Sequence, residues 1–470
     1  MKIVCFSINP IFPDQVTGGA SKHLLNLCQH LAKHGHDVVV LATEASTGQN
    51  CFWLGKRIEV KPILPFHQPF PQPYLVSPGD LAVICEKIAA ELEGADRFYI
   101  HDGELLLPFL YTVIPTIVSF RDNYYPESIL GSFLSQADEI IAVSDFSANV
   151  LKATAGRVSP DLIPRIHTVL NGIDTELFHT VDPGKIQALF GINPLVNQVI
   201  LHPHRPEAGK GLLETIQVTE RLVKDYGFDQ IRVLVPQWLG EMNGAAEDEF
   251  QAAVQAELRI RNLEKHFIFH PWLSQEHMPI YYSAGSLTLS LGNLVEAFGN
   301  VAYESLACGT PSIVARTGAH RTQLPDSLID KVDYGDTDTV AELAAEILHN
   351  HSRIEGEKLT KILGHFPLSE QMRAYEEIIV NAYKKPSPLS HPIKISEETR
   401  FDLAPWCCSS KYGIYHDYRA KYFQDEALGR ILEKATSGIS LDLVLQMGAN
   451  WTDLLNWYHQ GILLPSPTSG

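Results

Sequence analysis

Short apolar runs alternate along the chain with longer segments whose apolar residues recur every three or four positions. The first two runs, Ile3 to Ile8 and Asp37 to Thr43, predict buried strands, and Ser21 to His34 places its leucines on one helical face. Strand, helix and strand in this order form a βαβ unit, which requires a parallel sheet.

The same alternation continues to about residue 365 and predicts an α/β protein with two doubly wound halves. The further strands predicted in the first half are 97–101, 115–119, 139–143 and 166–170. Those predicted in the second half are 198–202, 231–235, 267–270, 286–291 and 312–315, with helices at 212–224, 301–308 and 369–383. The stretch TVDPG at 180–184 is the predicted boundary between the halves.

Polar residues just after the predicted strands are candidate ligands, because open α/β sheets bind ligands at the carboxyl ends of their strands. Gly18 and Gly19 form a flexible turn after the first strand. His101 ends a later strand and suits a donor to a substrate oxygen, although a histidine bonded within the protein explains it equally well. Arg205 and Lys210 flank a Gly- and Pro-rich turn, which suits a diphosphate, with two exposed surface cations as the alternative.

The segment 295–311 combines a helix start with two acids. Gly299 and a capping Asn300 precede the short helix, whose free N–H groups make an anion site. Glu296 and Glu304 on either side suit hydroxyls of the same ligand, so the segment predicts a ligand with both phosphate and sugar. A glycosidase pair is disfavoured, because eight helical residues span about 12 Å and such a pair needs roughly 5–9 Å. Solvated surface acids are the remaining alternative.

Net charge and cysteine content exclude some classes of partner and of binding site. The 37 basic and 55 acidic residues give a net charge of −18, which argues against nucleic acid as a partner. Seven scattered cysteines without a C-x-x-C predict reduced thiols and no zinc site. There is no signal-peptide pattern and no apolar run of about 20 residues, so we expect a cytoplasmic protein that does not span a membrane.

Together these motifs resemble retaining nucleotide-sugar glycosyltransferases of family 4, over roughly residues 1–385. The motifs that carry the resemblance are Gly18-Gly19, VLNGIDTELF at 169–178, the pair Arg205 and Lys210, and E-x7-E from Glu296 to Glu304. The resemblance implies the GT-B fold, in which two Rossmann-like doubly wound domains face a cleft. The predicted first domain is 1–185, completed by a helix at 369–385, and the second, donor-binding domain is 186–368.

By this resemblance, Arg205 and Lys210 bind the donor diphosphate and stabilise the leaving nucleotide, so neither a metal nor a cofactor is expected. Glu296 holds hydroxyls of the donor sugar, Glu304 holds the ribose, and His101 contacts the transferred sugar. The implied catalytic residues are Glu296, His101, Arg205 and Lys210. The other implied donor-binding residues are Gly18, Gly19, Trp272, Leu273, Ala297, Phe298, Gly299, Asn300 and Glu304.

The sequence departs from the family pattern at four places. His204 stands where a glycine usually precedes the arginine, and Arg121 stands where a histidine is common. Residues 236–238 replace a glycine-rich turn, and the stretch after Gly318 lacks an acid that is often seen there. Because of these departures, the sequence does not identify the nucleotide base or the sugar of the donor. The predicted class of reaction is unaffected.

Residues 386–470 lie outside the resemblance. Their Pro-rich start predicts a linker, and short helices are predicted at 425–434, 440–446 and 452–458. This tail resembles a small, mainly α, winged-helix-like or docking module for a protein, a peptide or the acceptor. A simple packing extension is the alternative.

The sequence thus predicts a retaining, metal-independent hexosyltransferase. It would move a sugar from a UDP- or GDP-sugar to an acceptor that is a saccharide, a lipid or another small molecule. Two alternatives stay open, a GT-B phosphorylase that releases a sugar phosphate and a catalytically degenerate scaffold that binds sugar nucleotides. Peripheral contact with a membrane is also left open.

Overall fold

In the computed structural model of the protein, the described residues are 1–8, 19–44, 50–68, 72–237, 245–391 and 393–466, without the side chains of 245–248. The chain forms two compact units, here called unit 1 (Met1–Leu170 with Met372–Gly470) and unit 2 (Asn171–Gln371). The first division therefore falls after Leu170, whereas the sequence analysis placed it after residue 185.

Unit 1 is built on one sheet. Its strands are β1 (Lys2–Phe6), β2 (Asp37–Thr43), β3 (Phe52–Trp53), β4 (Ile58–Leu64), β5 (Arg97–Ile100), β6 (Thr116–Phe120), β7 (Glu139–Ala142) and β8 (Ile166–Thr168). Their order is β3-β4-β2-β1-β5-β6-β7-β8, and every neighbouring pair is parallel except β3 with β4. The helices are α1 (Gly19–Lys33), α2 (Pro78–Leu92), α3 (Pro126–Leu134), α4 (Asp145–Ala153) and α5 (Ala155–Val158).

The central strands β1, β5 and β6 are almost entirely buried, as expected for a parallel sheet whose two faces are covered by helices. Strand β4 was not predicted, although its residues alternate between buried and half-buried positions. Pro62 interrupts this strand and pairs with Ala42 where the register with β2 shifts. A proline is tolerated there because β3 pairs only with Val60 and Glu59, which leaves Pro62 free of that ladder.

Unit 2 repeats the arrangement with six parallel strands. They are β9 (Gln198–Leu201), β10 (Ile231–Pro236), β11 (Phe267–His270), β12 (Leu287–Ser290), β13 (Ser312–Ala315) and β14 (Asp330–Val332), in the order β11-β10-β9-β12-β13-β14. The helices are α6 (Ile186–Phe190), α7 (Leu212–Lys224), α8 (Ala245–Arg261), α9 (Met278–Ala284), α10 (Asn300–Ala307), α11 (Thr337–His349) and α12 (Gly356–His365). The predicted α/β class with two doubly wound sheets is confirmed.

Helix α13 (Leu368–Asn381) returns the chain to unit 1, and a small module follows it. The module consists of β15 (Phe401–Leu403), β16 (Cys407–Ser410), β17 (Gly413–His416), β18 (Lys421–Phe423), α14 (Glu426–Lys434), α15 (Leu441–Gln446), α16 (Trp451–His459) and β19 (Leu463–Pro465). The three predicted helices are present. The structure adds two antiparallel sheets, β15 with β19 and β16-β17-β18, that the sequence analysis did not predict.

The predicted linker is held against the rest of unit 1. Arg165 donates to the Pro386 carbonyl at 2.7 Å, and the His391 amide donates to the Val158 carbonyl at 2.9 Å. The module also contacts the segment that follows β6, where the Tyr418 hydroxyl donates to the Asn123 carbonyl at 2.9 Å. All seven cysteines are free thiols, as predicted. In the described parts of the chain, no helix has both the length and the apolar character that crossing a bilayer requires.

Candidate functional site

The loop after β9 presents Lys210 between two glycines in left-handed backbone, Gly209 (φ +85°) and Gly211 (φ +88°). A residue with a Cβ is strained in this conformation, so the glycines allow the sharp turn that carries the lysine. The Leu294 amide donates to the Gly209 carbonyl at 3.0 Å, which ties this loop to the one after β12. Lys210 Nζ donates to Glu296 Oε1 at 2.7 Å across the two loops.

Glu296 is a carboxylate at neutral pH. Burial alone would raise its pKa, but the Lys210 ammonium outweighs burial, and the net effect is a pKa below the ordinary glutamate value. An ionised carboxylate only accepts hydrogen bonds, so Glu296 suits donors such as hydroxyls. Its side chain keeps 21% of its surface exposed, and that of Lys210 keeps 15%, so a ligand can reach both groups.

Two buried histidines that the sequence analysis did not select share this site. His204 Nε2 lies 3.0 Å from Ser290 Oγ, and His320 Nδ1 lies 3.1 Å from the Tyr303 hydroxyl. Burial lowers the pKa of both histidines, that of His320 to about 4, so both are neutral at physiological pH. With Lys210 and Glu296 they line one small cavity of about 10 Å³. The sequence contains only weak signals for these two histidines. His204 stands where the family usually has a glycine, and His320 lies two residues after Gly318.

The start of α10 differs from its prediction by one residue. The helix begins at Asn300 and its N-cap is Gly299 (φ +90°), so the prediction that Asn300 caps the helix is wrong. The Asn300 side chain is instead used in packing, because its Oδ1 accepts a hydrogen bond from Asn171 Nδ2 at 3.2 Å. The helix begins four residues after Glu296, and Glu304 lies one turn further on, where the Tyr282 hydroxyl donates to it at 3.1 Å.

The other predicted donor-binding residues of unit 2 vary in exposure. Arg205 is 41% exposed, and its Nε lies 3.1 Å from Glu207 Oε1. Trp272 is 44% exposed just after β11, and Leu273 beside it is half-buried. The Phe298 side chain packs in the core against Tyr303 and Phe366, and Ala297 is buried as well. Phe298 can therefore meet a ligand only through its backbone.

In unit 1, His101 lies directly after β5 and is buried. Its Nε2 lies 3.0 Å from the Ala20 carbonyl, and its Nδ1 lies 3.1 Å from the Tyr99 hydroxyl. Because the carbonyl only accepts, Nε2 carries the proton and Nδ1 accepts from the tyrosine. Burial, and then the nearby Arg121, lower the pKa of His101 well below its ordinary value, so the ring is neutral. Gly19 opens helix α1, and Gly18 lies outside the described residues.

Acidic groups gather at the carboxyl ends of β5 and β6, as the predicted strand ends suggested. Asp102 Oδ1 lies 4.0 Å from Arg121 Nε. Ser128 joins the two strand ends, since its hydroxyl contacts Asp122 Oδ2 at 2.6 Å and the Asp102 carbonyl at 3.2 Å. Burial raises the pKa of Asp102 to about 7, against the opposing effect of Arg121.

This raised pKa makes the stability of unit 1 depend on pH. Between the ordinary aspartate pKa of 3.8 and about 7, the folded unit keeps a proton on Asp102 that the unfolded chain releases, so stability falls as pH rises through this window. The loss is roughly 4 kcal/mol at most above pH 7, at about 1.4 kcal/mol per pKa unit. Asparagine carries no charge and tolerates the left-handed backbone of Asp102 (φ +64°). We expect Asp102→Asn to raise the melting temperature more at pH 8 than at pH 5.

The control for this melting experiment is Asp402→Asn, at an exposed aspartate of the same unit. An equal shift at both pH values for Asp102→Asn would contradict a protonated Asp102.

A cavity of about 480 Å³ lies in unit 1 between the end of β6 and the module. Asp122 and Asn123 line it on the sheet side, and Tyr418 and Arg419 line it on the module side. Arg157 lines it as well and stacks on an aromatic ring of α16 at 5.7 Å. Asp122 thus belongs both to this cavity and to the acidic strand ends. The sequence analysis placed no site here.

Two family models match the chain in succession. "Glycosyltransferase Family 4" matches residues 17–177, and "Glycosyl transferases group 1" matches residues 193–359. A D-inositol 3-phosphate glycosyltransferase of Xylanimonas cellulosilytica is 28% identical over 206 residues, which cover 41% of this chain and 45% of that relative. One from a Mycobacterium species is 27% identical over 208 residues, covering 43% and 44%. The chain spans less than half the length of these curated relatives.

Solved structures share the fold at low sequence identity. Sucrose-phosphate synthase from Thermosynechococcus elongatus superposes with a TM-score of 0.68 at 16% identity, covering 80% of this chain and 98% of that one. Anabaena HepE, solved with UDP and glucose, gives a TM-score of 0.64 at 18% identity, covering 81% and 100%.

The two matched models occupy most of the two doubly wound sheets, and the structural likeness runs through both units. The Lys210 and Glu296 loops lie inside the second matched region. The chain therefore belongs to the glycosyltransferases of the GT-B fold, with a family 4 domain followed by a group 1 domain.

Proposed function

We propose that the protein is a retaining glycosyltransferase that moves a hexosyl group from a UDP- or GDP-sugar to an acceptor. The observation that carries this proposal is the contact between Lys210 and Glu296, together with the start of α10 four residues after Glu296 in the chain. A cation and a helix start suit a diphosphate, while an ionised carboxylate suits sugar hydroxyls, so the three together fit a nucleotide sugar.

In this proposal the two cations act on the leaving group. Lys210 turns from Glu296 to the donor diphosphate, and Arg205, with 41% of its side chain exposed, joins it there. As the bond to the sugar breaks, negative charge grows on the diphosphate, and positive charges already in position stabilise it. The two cations supply the neutralising charge that a metal ion supplies in other transferases, and we propose that none is needed.

The carboxylates select the sugar and the nucleotide. Glu296, released by Lys210, accepts from hydroxyls of the hexose, and Glu304 accepts from the ribose. Trp272, exposed after β11, offers an aromatic face to the base. UDP is the nucleotide in HepE as solved, which favours a uridine donor here as the first candidate. Retention follows if the acceptor attacks from the face that the nucleotide leaves.

The test is a transfer assay with UDP- and GDP-hexoses, in which the released nucleotide is quantified and the anomeric configuration of the product is read by NMR. Release of UDP or GDP with retained configuration supports the proposal. Turnover that requires inorganic phosphate would instead favour the GT-B phosphorylase. If the protein binds a nucleotide sugar tightly but transfers the sugar to none of a broad panel of acceptors, the catalytically degenerate scaffold is favoured.

We further propose that the 480 Å³ cavity of unit 1 receives an anionic acceptor. Within the described residues, neither Arg157 nor Arg419 has an acidic partner, and both stack on aromatic rings instead. Nε and Nη1 of Arg157 are shielded from solvent and lack a hydrogen-bond partner there. A guanidinium with two shielded nitrogens in this condition suits a phosphate or a carboxylate. The curated relatives are named for a phosphorylated polyol, D-inositol 3-phosphate, which has this chemistry.

Replacing Arg157 by glutamine should weaken binding of the acceptor and leave binding of the donor unchanged. Loss of a charge-assisted contact costs roughly 2–3 kcal/mol, so we expect KM for a phosphorylated polyol to rise about 30–150-fold. The affinity for UDP, measured by calorimetry, should stay unchanged. The matched control is Arg430→Gln, at an exposed arginine of α14 whose partner is Glu426. Equal KM values for the two variants would contradict acceptor binding in this cavity.

A further inference from the structure

Three histidines and one glutamate converge between α1 and α13 in unit 1. His30 Nε2 and His34 Nδ1 each lie 2.9 Å from Glu376 Oε2, and His36 Nε2 lies 3.6 Å from Glu376 Oε1. The His30 and His34 rings meet edge to face, with centroids 4.2 Å apart. Both oxygens of one carboxylate are thus faced by imidazole nitrogens.

The local sequence H-x3-H-G-H accounts for three of these four groups. His30 and His34 are four residues apart and lie on one side of the end of α1, where His34 is the first residue after the helix and its amide donates to the His30 carbonyl at 3.1 Å. Gly35 then takes left-handed backbone (φ +91°), and the His36 amide donates back to the Leu31 carbonyl at 3.1 Å. This C-terminal cap reverses the chain and returns the third imidazole to the same side.

We propose that this cluster binds one zinc ion, which fastens α13 to the end of α1. Three imidazoles and one carboxylate form a complete tetrahedral ligand set for Zn²⁺. Ligand atoms about 2.0–2.2 Å from a tetrahedral ion lie roughly 3.2–3.6 Å from one another. His30 and His34 each lie 2.9 Å from Glu376 Oε2, and the donor atoms of these three residues all lie within 4.8 Å of one another, whereas His36 faces the other oxygen, Oε1, at 3.6 Å. To serve as the fourth ligand, the His36 ring must rotate toward the other three donor atoms.

The position of the site suits a structural ion that enters from solvent. His34 is 44% exposed, whereas the side chains of His30, His36 and Glu376 keep 20%, 13% and 21% of their surface. Helix α13 is where the chain returns from unit 2, and its residues from Met372 onward belong to unit 1. Fixing α13 stabilises unit 1 and leaves the proposed donor residues of unit 2 untouched.

The proposal is tested on full-length protein whose affinity tag has been removed and whose metals have been stripped with a chelator. Titration with zinc chloride should show one equivalent bound with a Kd below about 1 µM, and saturating zinc should raise the melting temperature by roughly 5 °C. Cobalt chloride should give the intense visible bands of a tetrahedral Co²⁺ complex.

His34→Ala removes an exposed ligand and should fold, and it should lose at least about tenfold in zinc affinity and the tetrahedral cobalt bands. Glu376→Gln should behave in the same way, whereas His179→Ala, at an exposed histidine of unit 2, should bind zinc like the wild type. Equal zinc uptake by His34→Ala and the wild type would overturn the proposal. So would a wild-type melting temperature that zinc leaves unchanged, because the cluster is then held by hydrogen bonds alone.

Discussion

Lys210→Ala should lower kcat for sugar transfer by about 100–1000-fold. A preorganised charge that stabilises a developing anion contributes roughly 3–4 kcal/mol to the transition state, and the donor diphosphate becomes more negative as the sugar leaves. The variant also leaves Glu296 without the ammonium that lowers its pKa. We therefore expect weaker binding of the sugar hydroxyls as well, seen as a higher KM for the donor.

The matched control is Lys224→Ala in the same unit. Lys224 is 51% exposed and pairs with Glu220 one helical turn away, so its loss should change kcat by less than a factor of two. Circular dichroism and the melting temperature show whether both variants are folded. A folded Lys210→Ala variant with a kcat within threefold of the wild type would remove Lys210 from the catalytic machinery.

Gly292→Ala should damage the same site through the backbone. A Cβ at this position would lie 2.1 Å from the Gly209 carbonyl oxygen and 2.7 Å from the Lys210 carbonyl carbon. Both neighbours are backbone atoms, so the two loops must separate and the Lys210 ammonium must move away from Glu296. We expect the affinity for UDP to fall about 100-fold, because displacements of about 1 Å at a preorganised site have effects of this size. The melting temperature should fall by several degrees.

Gly364→Ala is the matched control for this change. Gly364 lies in α12 of the same unit, and a Cβ there meets no atom within 4 Å. Alanine favours a helix over glycine by about 0.5–1 kcal/mol, so this variant should be slightly more stable than the wild type and bind UDP normally. Calorimetry with UDP separates the two outcomes. Unchanged affinity in Gly292→Ala would show that the close approach of the loops does not position Lys210.

Local patterns were enough to find most of the secondary structure. Strands such as Asp37–Thr43 and helices such as Leu212–Lys224 have the predicted bounds, because an apolar run or a helical stripe of apolar residues is a property of neighbouring positions. The strands that were missed are short or interrupted. Asp330–Val332 has one fully buried residue, and Ile58–Leu64 contains a proline.

The sequence also indicated which kind of ligand group each individual loop suits. Arg205 and Lys210 in a Gly- and Pro-rich turn, and Glu296 before a helix start, each indicated one part of a nucleotide sugar. The family motifs then joined them, and the two matched models agree with that family. The individual roles of these residues, and that of His101, stay predictions.

Other features depend on which distant segments become neighbours. His320 lines the same cavity as Lys210. His416 and Tyr418 line a cavity together with Asp122. Glu376 contacts three histidines at the end of α1. Each contact joins segments far apart in sequence. Residue types alone do not specify such contacts, because they follow from the order of strands and from how helices pack on them.

By itself, the sequence determined that this protein is an α/β chain with two doubly wound sheets, whose loops carry cations, carboxylates and a helix start suited to a sugar nucleotide. The tertiary structure decided that Lys210 and Glu296, 86 residues apart, share a hydrogen bond. The physical reason is the strand order, since Lys210 follows β9, Glu296 follows β12, and these two strands are neighbours in the sheet.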